Sequence, residues 1–362
     1  MAFRDVIGQD KAVNILLRTI QRGRLPSSYL FAGESGIGKK FTAINLIKAV
    51  NCLTPSSSHP DKRGYGGVDA CDVCSSCKKI DTGVYPDFLL ISPEGGQIRI
   101  EEIRAIDDVL SFKAFEGRRK AVIVDEADNM NPYAANAFLK TLEEPPKDSL
   151  IILISSNPDR LIDTIISRCS RVNFTPLSYE ACRKVIEKVS NQESAPPLSI
   201  PPPRGGRVRE GVKATNRRTP EPPDSRNISL LVRLTMGRPG IAIAEDLMED
   251  RSWFMKLLRG MLNAEKDGWR SKEEMGKWFD FVLILLRDMA ILKITQDDKN
   301  LINIDIKDYL NKLSRPVDLK VIIENYQRLN TLRGYFNFNL NISLTWNYTG
   351  SLLRKTMDAI YA

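Results

Sequence analysis

The 362-residue chain has only one histidine, His59, and no long hydrophobic run; its longest membrane candidate, Phe281–Leu286, has six apolar residues. A spanning helix needs about 18. The beginning, Met1-Ala-Phe-Arg-Asp5, lacks an apolar signal core, so the expectation is a cytoplasmic protein, neither exported nor membrane-inserted. Neither sign of charge dominates: 53 Lys+Arg stand against 45 Asp+Glu, a net +8. That balance permits a polyanionic partner without requiring one, because sequence-independent DNA affinity follows local Lys/Arg density. Internal repeats are absent too. With 42% hydrophobic and 27% charged residues the composition is that of a folded protein, and the length predicts two or three domains.

Cysteine is scarce but unevenly placed. Four of the six (Cys52, Cys71, Cys74, Cys77) fall within 26 residues, which chance does not explain. Without an export signal, metal ligation is favoured over disulfides. The x2 spacings of Cys71, Cys74 and Cys77 let thiolates converge on one tetrahedral Zn²⁺, and a four-thiolate shell leaves no open position, so the ion would be structural. An iron–sulfur cluster is the rival, but the proline that follows the fourth cysteine in ferredoxin-like runs is missing after Cys77. His59 lies inside the loop; four cysteines already complete the shell, so it is expected to be exposed.

Up to about residue 177, short apolar runs alternate with helical patterns. Tyr29–Ala32, Phe88–Ile91, Ala121–Val124 and Leu150–Ile154 read as strands covered on both faces. Ala12–Ile20, Thr42–Val50, Glu101–Ser111 and Ala134–Leu142 read as the helices between them. The expected fold is α/β, a mostly parallel sheet with helices on both faces. From 191 to 227 the character changes: 8 of the 20 prolines fall here, interspersed with Arg204, Arg207, Arg209, Lys213, Arg217 and Arg218. This segment reads as a disordered, basic, Pro-rich insertion. Helical periodicity then continues through Trp253–Leu262, Met275–Ile291, Leu319–Leu332 and Ile342–Tyr361, with no comparable strand pattern.

Two motifs point to phosphate chemistry. Gly33-x4-Gly38-Lys39, with Gly36 between, sits between a predicted strand and helix in the spacing of a P-loop. The Ser or Thr that should follow the lysine and ligate Mg²⁺ is instead Lys40. Thr42 cannot substitute, since two residues at about 100° each carry it round the helix. A second ammonium there repels Mg²⁺, leaving ATP or ADP binding open and Mg²⁺ doubtful. Val122-Ile-Val-Asp125-Glu126 resembles a Walker B strand, in which the Asp holds the metal's water shell and the Glu polarises the attacking water. Ser156, in the polar turn Ser155-Ser156-Asn157-Pro158, completes the degenerate nucleotide set. Arg168 ends the helical stretch Leu161–Cys169, where an ordinary dipole partner would also place it.

Taken together, these stretches resemble the AAA+ clamp-loader subunits of bacterial DNA polymerase III. The resemblance rests on Asp5-Val-Ile-Gly-Gln9, Tyr29-Leu-Phe-Ala-Gly33, the cysteine cluster, Tyr85-Pro-Asp-Phe88 (family members usually have His at the Tyr85 position) and Ile98-Arg-Ile-Glu-Glu-Ile103. Its most specific parts are Ala135-Asn-Ala-Phe-Leu-Lys-Thr-Leu-Glu-Glu-Pro-Pro146 and Ser167-Arg-Cys169. It covers residues 1–190 closely and 228–250 loosely. It implies an AAA+ P-loop domain over 1–177 with a zinc module at 52–77, a helical lid over 178–250 interrupted by the 191–227 insertion, and an all-α collar or oligomerisation domain over 251–362.

The activity implied is participation in ATP-driven loading of a sliding clamp onto primed DNA, within a polymerase holoenzyme at the nucleoid-associated replisome. The partners implied are gamma/tau-type ATPases, a delta-type subunit, the clamp and primed DNA, with no membrane. Ser167-Arg168-Cys169 matches the motif whose arginine reaches a neighbour's ATP site in trans, where such a finger contributes ~10³–10⁵ in rate. Motor members carry Lys-Thr or Lys-Ser where Lys39-Lys40 stands, and a sensor-2 arginine where Met236-Gly237-Arg238-Pro239-Gly240 places Gly240, with Arg238 near enough to keep that alignment open. These departures imply a delta-prime-like subunit with weak or absent ATPase of its own. The alternatives are a gamma/tau-type motor, to which the retained Asp125-Glu126 belongs, and a zinc-stabilised DNA-binding adaptor using the basic insertion.

Overall fold

Five short strands, nearly all built of residues that are apolar on both faces, make a single parallel sheet in the first half of the chain. The computed structural model describes residues 2–55, 68–93, 95–190, 225–265, 268–295, 297–336, 338 and 340–357. His59 and the basic insertion up to residue 224 lie outside the described residues. The chain divides into two compact units, Met1–Pro222 with Gly237–Ile241, and Pro223–Met236 with Ala242–Ala362.

The first unit runs α1 (Asp10–Gln21), β1 (Ser28–Ala32), α2 (Lys39–Asn51), α3 (Ser75–Asp81), β2 (Phe88–Ile91), α4 (Ile100–Ser111), β3 (Lys120–Val124), α5 (Pro132–Glu143), β4 (Ser149–Ser155), α6 (Asp163–Arg168), β5 (Ser170–Asn173) and α7 (Tyr179–Ser190). The strand order is β2-β3-β4-β1-β5, parallel throughout. Side chains alternate across a strand. Leu30, Ala32, Val122, Val124, Ile151 and Leu153 therefore share one face, where they pack with Ile103 and Ile106 of α4 and Phe138 of α5. Tyr29, Phe31, Ile123 and Ile152, all 3% exposed or less under the same alternation, face the other side. α1 and α2, which touch β5 and β4, contribute nothing to the first cluster.

The four predicted strands are present, but the fifth, β5, was not expected. Only Val172 of its four residues is buried, because an edge strand with one covered position shows no apolar run. The Val124↔Leu153 and Ala32↔Ser155 registers bring the ends of β3, β4 and β1 to one edge. Ligands gather at that carboxyl edge of a parallel sheet.

The second unit contains α8 (Ser225–Leu234), α10 (Leu247–Leu262), α11 (Lys272–Thr295), α12 (Lys307–Ser314), α13 (Leu319–Gly334) and α14 (Ile342–Met357); α9 (Pro239–Ala244) begins in the first unit. Its core gathers on α11, where Trp278 and Phe279 meet Trp269, with Trp346 against Trp269 at 5.0 Å between ring centres. A helix buried on most sides reads as nearly uniform apolarity, which is why Phe281–Leu286 looked like a membrane candidate. Among the described residues no helix is long and apolar enough to cross a membrane.

Candidate functional site

The Gly33–Lys39 turn joins the end of β1 to the start of α2, as its spacing predicted. Gly33 has φ 149°, and a Cβ there would lie 2.5 Å from the Phe174 carbonyl oxygen, so only glycine fits. Lys39 is 5% exposed, and its Nζ donates to the carbonyls of Gly33 and Glu34 at 2.5 Å each. The ammonium is folded into its own loop. Burial pulls its pKa down to about 8, against the opposing charges of Asp125, Asp128, Glu34 and Glu126.

Lys40 takes the position of the expected hydroxyl, and its Nζ lies 3.1 Å from Asp125 Oδ2. A cation bound to the P-loop and the acidic strand end would have to share that carboxylate with the Lys40 ammonium. These residues therefore do not fit Mg²⁺. Thr42 is fully buried, with its hydroxyl donating to the Gly38 carbonyl at 2.9 Å, so it serves the helix. Glu126 sits in the left-handed region at φ 48° and accepts from Asn129 Nδ2 at 2.9 Å. Ser156 is exposed at the end of β4, its N–H donating to Asp128 at 3.2 Å.

A second contact closes the loop from above. The Gly240 N–H donates to the Gly36 carbonyl at 2.8 Å, and a Cβ on Gly240 would stand 2.9 Å from both the Cα and the oxygen of Gly36. Arg238 Nη1 lies 3.7 Å from Glu34. At Gly240, therefore, backbone packs on backbone and leaves no room for a side chain. Gln9, whose role the sequence did not disclose, braces the same loop through Nε2 to Ile37 O at 3.1 Å and to Thr175 O at 2.7 Å.

Arg168 is not near this loop. It closes α6, just before β5, whose first residue Ser170 is in register with Tyr29. Gly33 lies four residues further along β1, about 13 Å at ~3.3 Å per residue. The guanidinium bonds Thr164 O at 2.8 Å and Glu143 on α5.

The four cysteines do converge. Their Sγ atoms all lie within 4.8 Å of one another, and Cys52 Sγ and Cys74 Sγ are 3.9 Å apart. A tetrahedral zinc with ~2.3 Å bonds requires sulfur pairs about 3.8 Å apart, so the set fits this ion. The Cys71 N–H points to Cys52 Sγ at 3.4 Å and the Cys74 N–H to Cys71 Sγ at 3.3 Å; such donors suit thiolates. Burial raises the Cys71 thiol, but hydrogen bonds from Thr54, Val73 and Cys74 outweigh it and bring the pKa to about 6. Burial pushes Cys77 and Cys52 upward, and a cation would be needed to hold them ionised.

Beneath the cluster lies a charge network that sequence patterning did not reveal. Lys48 of α2, with a fully buried side chain, pairs with Asp72 at 2.5 Å and Asp81 at 2.7 Å, and Arg4 also holds Asp72 at 2.5 Å. A helical lysine would pass for a solvated face, so only tertiary placement identifies it.

Comparison with known proteins gives a consistent set of relatives. The family described as DNA polymerase III, delta subunit, matches residues 8–178. The DNA polymerase III subunit delta' of Bacillus subtilis (strain 168) is 31% identical over 305 residues, covering 80% of each chain. That of Pseudomonas aeruginosa is 35% identical over 150 residues, 41% of this chain and 43% of that one. The tau subunit of Escherichia coli (strain K12) is 32% identical over 191 residues, 53% of this chain but only 28% of tau.

Proposed function

The chain belongs to the family of DNA polymerase III clamp-loader subunits that includes delta', tau and gamma, and from that premise we propose that it works as a delta-prime-like subunit in loading a sliding clamp onto primed DNA. It triggers ATP hydrolysis in a neighbouring gamma/tau-type subunit and turns over little or no ATP itself. The observation that carries this reading is the pairing of Lys40 with Asp125. It neutralises the carboxylate a motor would use for Mg²⁺, while Arg168 stands at the opposite edge of the sheet, out of reach of its own P-loop.

In this reading Arg168 is donated across the subunit boundary, where its planar fork stabilises charge on the transferred phosphoryl group. Zinc held by Cys52, Cys71, Cys74 and Cys77 is structural and supplies no chemistry. The partners are gamma/tau-type ATPases, a delta-type subunit, the clamp and primed DNA, in the cytoplasm at the replisome. Residues 1–177 form the P-loop domain, 178–250 the lid and 251–362 the collar.

Arg168→Ala, assembled with its partner subunits, tests the assignment. Clamp- and DNA-stimulated ATPase should fall by orders of magnitude while assembly is retained. Unchanged turnover would remove the finger, and Mg²⁺-dependent ATP hydrolysis by the isolated chain would reassign it as a motor.

A further inference from the structure

Arg168 and Glu143 are the last residues of two neighbouring helices, α6 and α5. Arg168 Nη2 meets Glu143 Oε1 at 2.5 Å, and Nη1 bonds the carbonyl of Thr164 on its own helix at 2.8 Å. Both ends of the guanidinium are therefore occupied within the chain. Glu143 is in an unusual place: a carboxylate in the last turn of a helix is opposed by the helix dipole. Glu144 adds a second acid, and Pro145-Pro146 end the helix there. The guanidinium of Arg168 is the positive group that the bond geometry brings to this carboxylate.

We propose that Glu143 is a positioning residue that parks Arg168 against the subunit's own surface until a neighbour's nucleotide competes for it. The proposal rests on the trans reading of Arg168. Side-chain exposures of 32% for Arg168 and 49% for Glu143 leave the pair in contact with water, where such pairs shift an equilibrium by only about two- to fivefold. A latch of that size keeps most of the population folded back. A phosphoryl group, with more negative charge and the oxygen geometry for a bidentate guanidinium, displaces the single carboxylate readily.

The test has two arms, both with the full-length chain. In the assembled complex without clamp or DNA, Glu143→Gln should raise ATP turnover about two- to fivefold at unchanged KM, leaving the stimulated maximum alone. Glu143→Asp should restore the low basal rate, and Arg168→Ala should abolish the increase. In the isolated chain, NMR relaxation of the Arg168 Nε–Hε group should show a more mobile side chain in Glu143→Gln. A basal rate that stays put or falls, or an Arg168 equally mobile with and without the Glu143 carboxylate, overturns the latch. If Arg168→Ala leaves stimulated ATPase intact, the finger reading fails instead, and the NMR arm alone decides whether the parking contact exists.

Discussion

Lys40 Nζ stands 3.1 Å from Asp125 Oδ2, so the acidic end of β3 already has its counterion, supplied by the residue after the P-loop lysine. This inverts the electrostatics of a nucleotide site, in which a hydroxyl and a carboxylate together hold a divalent cation. An ammonium cannot coordinate a metal ion, and it repels whatever cation arrives with the phosphates.

Lys40→Thr should therefore restore part of the metal site. Mg²⁺-dependent affinity for a fluorescent ADP analogue should rise about tenfold, equivalent to ~1.4 kcal/mol. Equal affinity with and without Mg²⁺ in the variant would show that Lys40 is not what disables the site.

Lys39 sets a pH dependence. Burial lowers its pKa to about 8 in the folded chain, whereas an unfolded lysine titrates near ~10.4. Between these values the unfolded chain holds more protons, so this group's contribution to stability rises with pH across that window. Urea unfolding at pH 7.5, 9 and 10 should give the unaltered chain a steeper upward slope than Lys39→Met, by up to about 1.4 kcal/mol per pH unit. Superimposable slopes would place the ammonium in water.

Gly240→Ala puts a methyl group 2.9 Å from two backbone atoms of Gly36. Neither can rotate away, so 237–241 must lift from the loop at a cost of about 1–3 kcal/mol. Chemical denaturation checks this; an undiminished midpoint would mean the contact is slack.

Metal analysis should find one zinc per chain, and Cys74→Ser should lose it. Structural zinc contributes on the order of 10 kcal/mol in small zinc-finger peptides. Chelation should expose protease sites between residues 52 and 77 and lower the melting temperature. Iron with sulfide in the preparation would reject the zinc assignment.

Lys48→Met removes the cation that Asp72 and Asp81 share under the cysteine cluster. Two carboxylates would then face each other, one still held by Arg4. The loss should approach the ~3–5 kcal/mol of a broken buried pair, measured by unfolding, with zinc retained. A milder change, below about 1 kcal/mol, would mean water already reaches the pair.

Much of the site is legible along the chain because its parts are local. The P-loop glycines lie within six residues and the cysteines in one short window, so spacing carries their geometry. What spacing cannot carry is the meeting of distant segments. Arg238-Pro239-Gly240 aligned only loosely with sensor 2, and its packing on Gly36 follows from where 237–241 returns to the first unit. Gln9 and Glu143 stand inside stretches that carry the family resemblance, but their contacts, like those of Lys48, have no motif of their own, because a buttress, a latch or a buried counterion depends on which distant segment it meets. Strand β5 escaped because its single buried position, Val172, makes no pattern.

The chain alone determined which chemical groups are available: four thiols that converge, a P-loop with an ammonium where a hydroxyl belongs, and an arginine closing a short helix. Tertiary structure decided what each group faces. The order β2-β3-β4-β1-β5 brings the carboxyl ends of β3 and β1, and with them Asp125 and Lys40, together, whereas Arg168 precedes β5 and stays at the amino ends of the strands. The physical reason is that residue type and spacing act through local geometry, whereas the charge a side chain meets depends on which strands the fold makes neighbours.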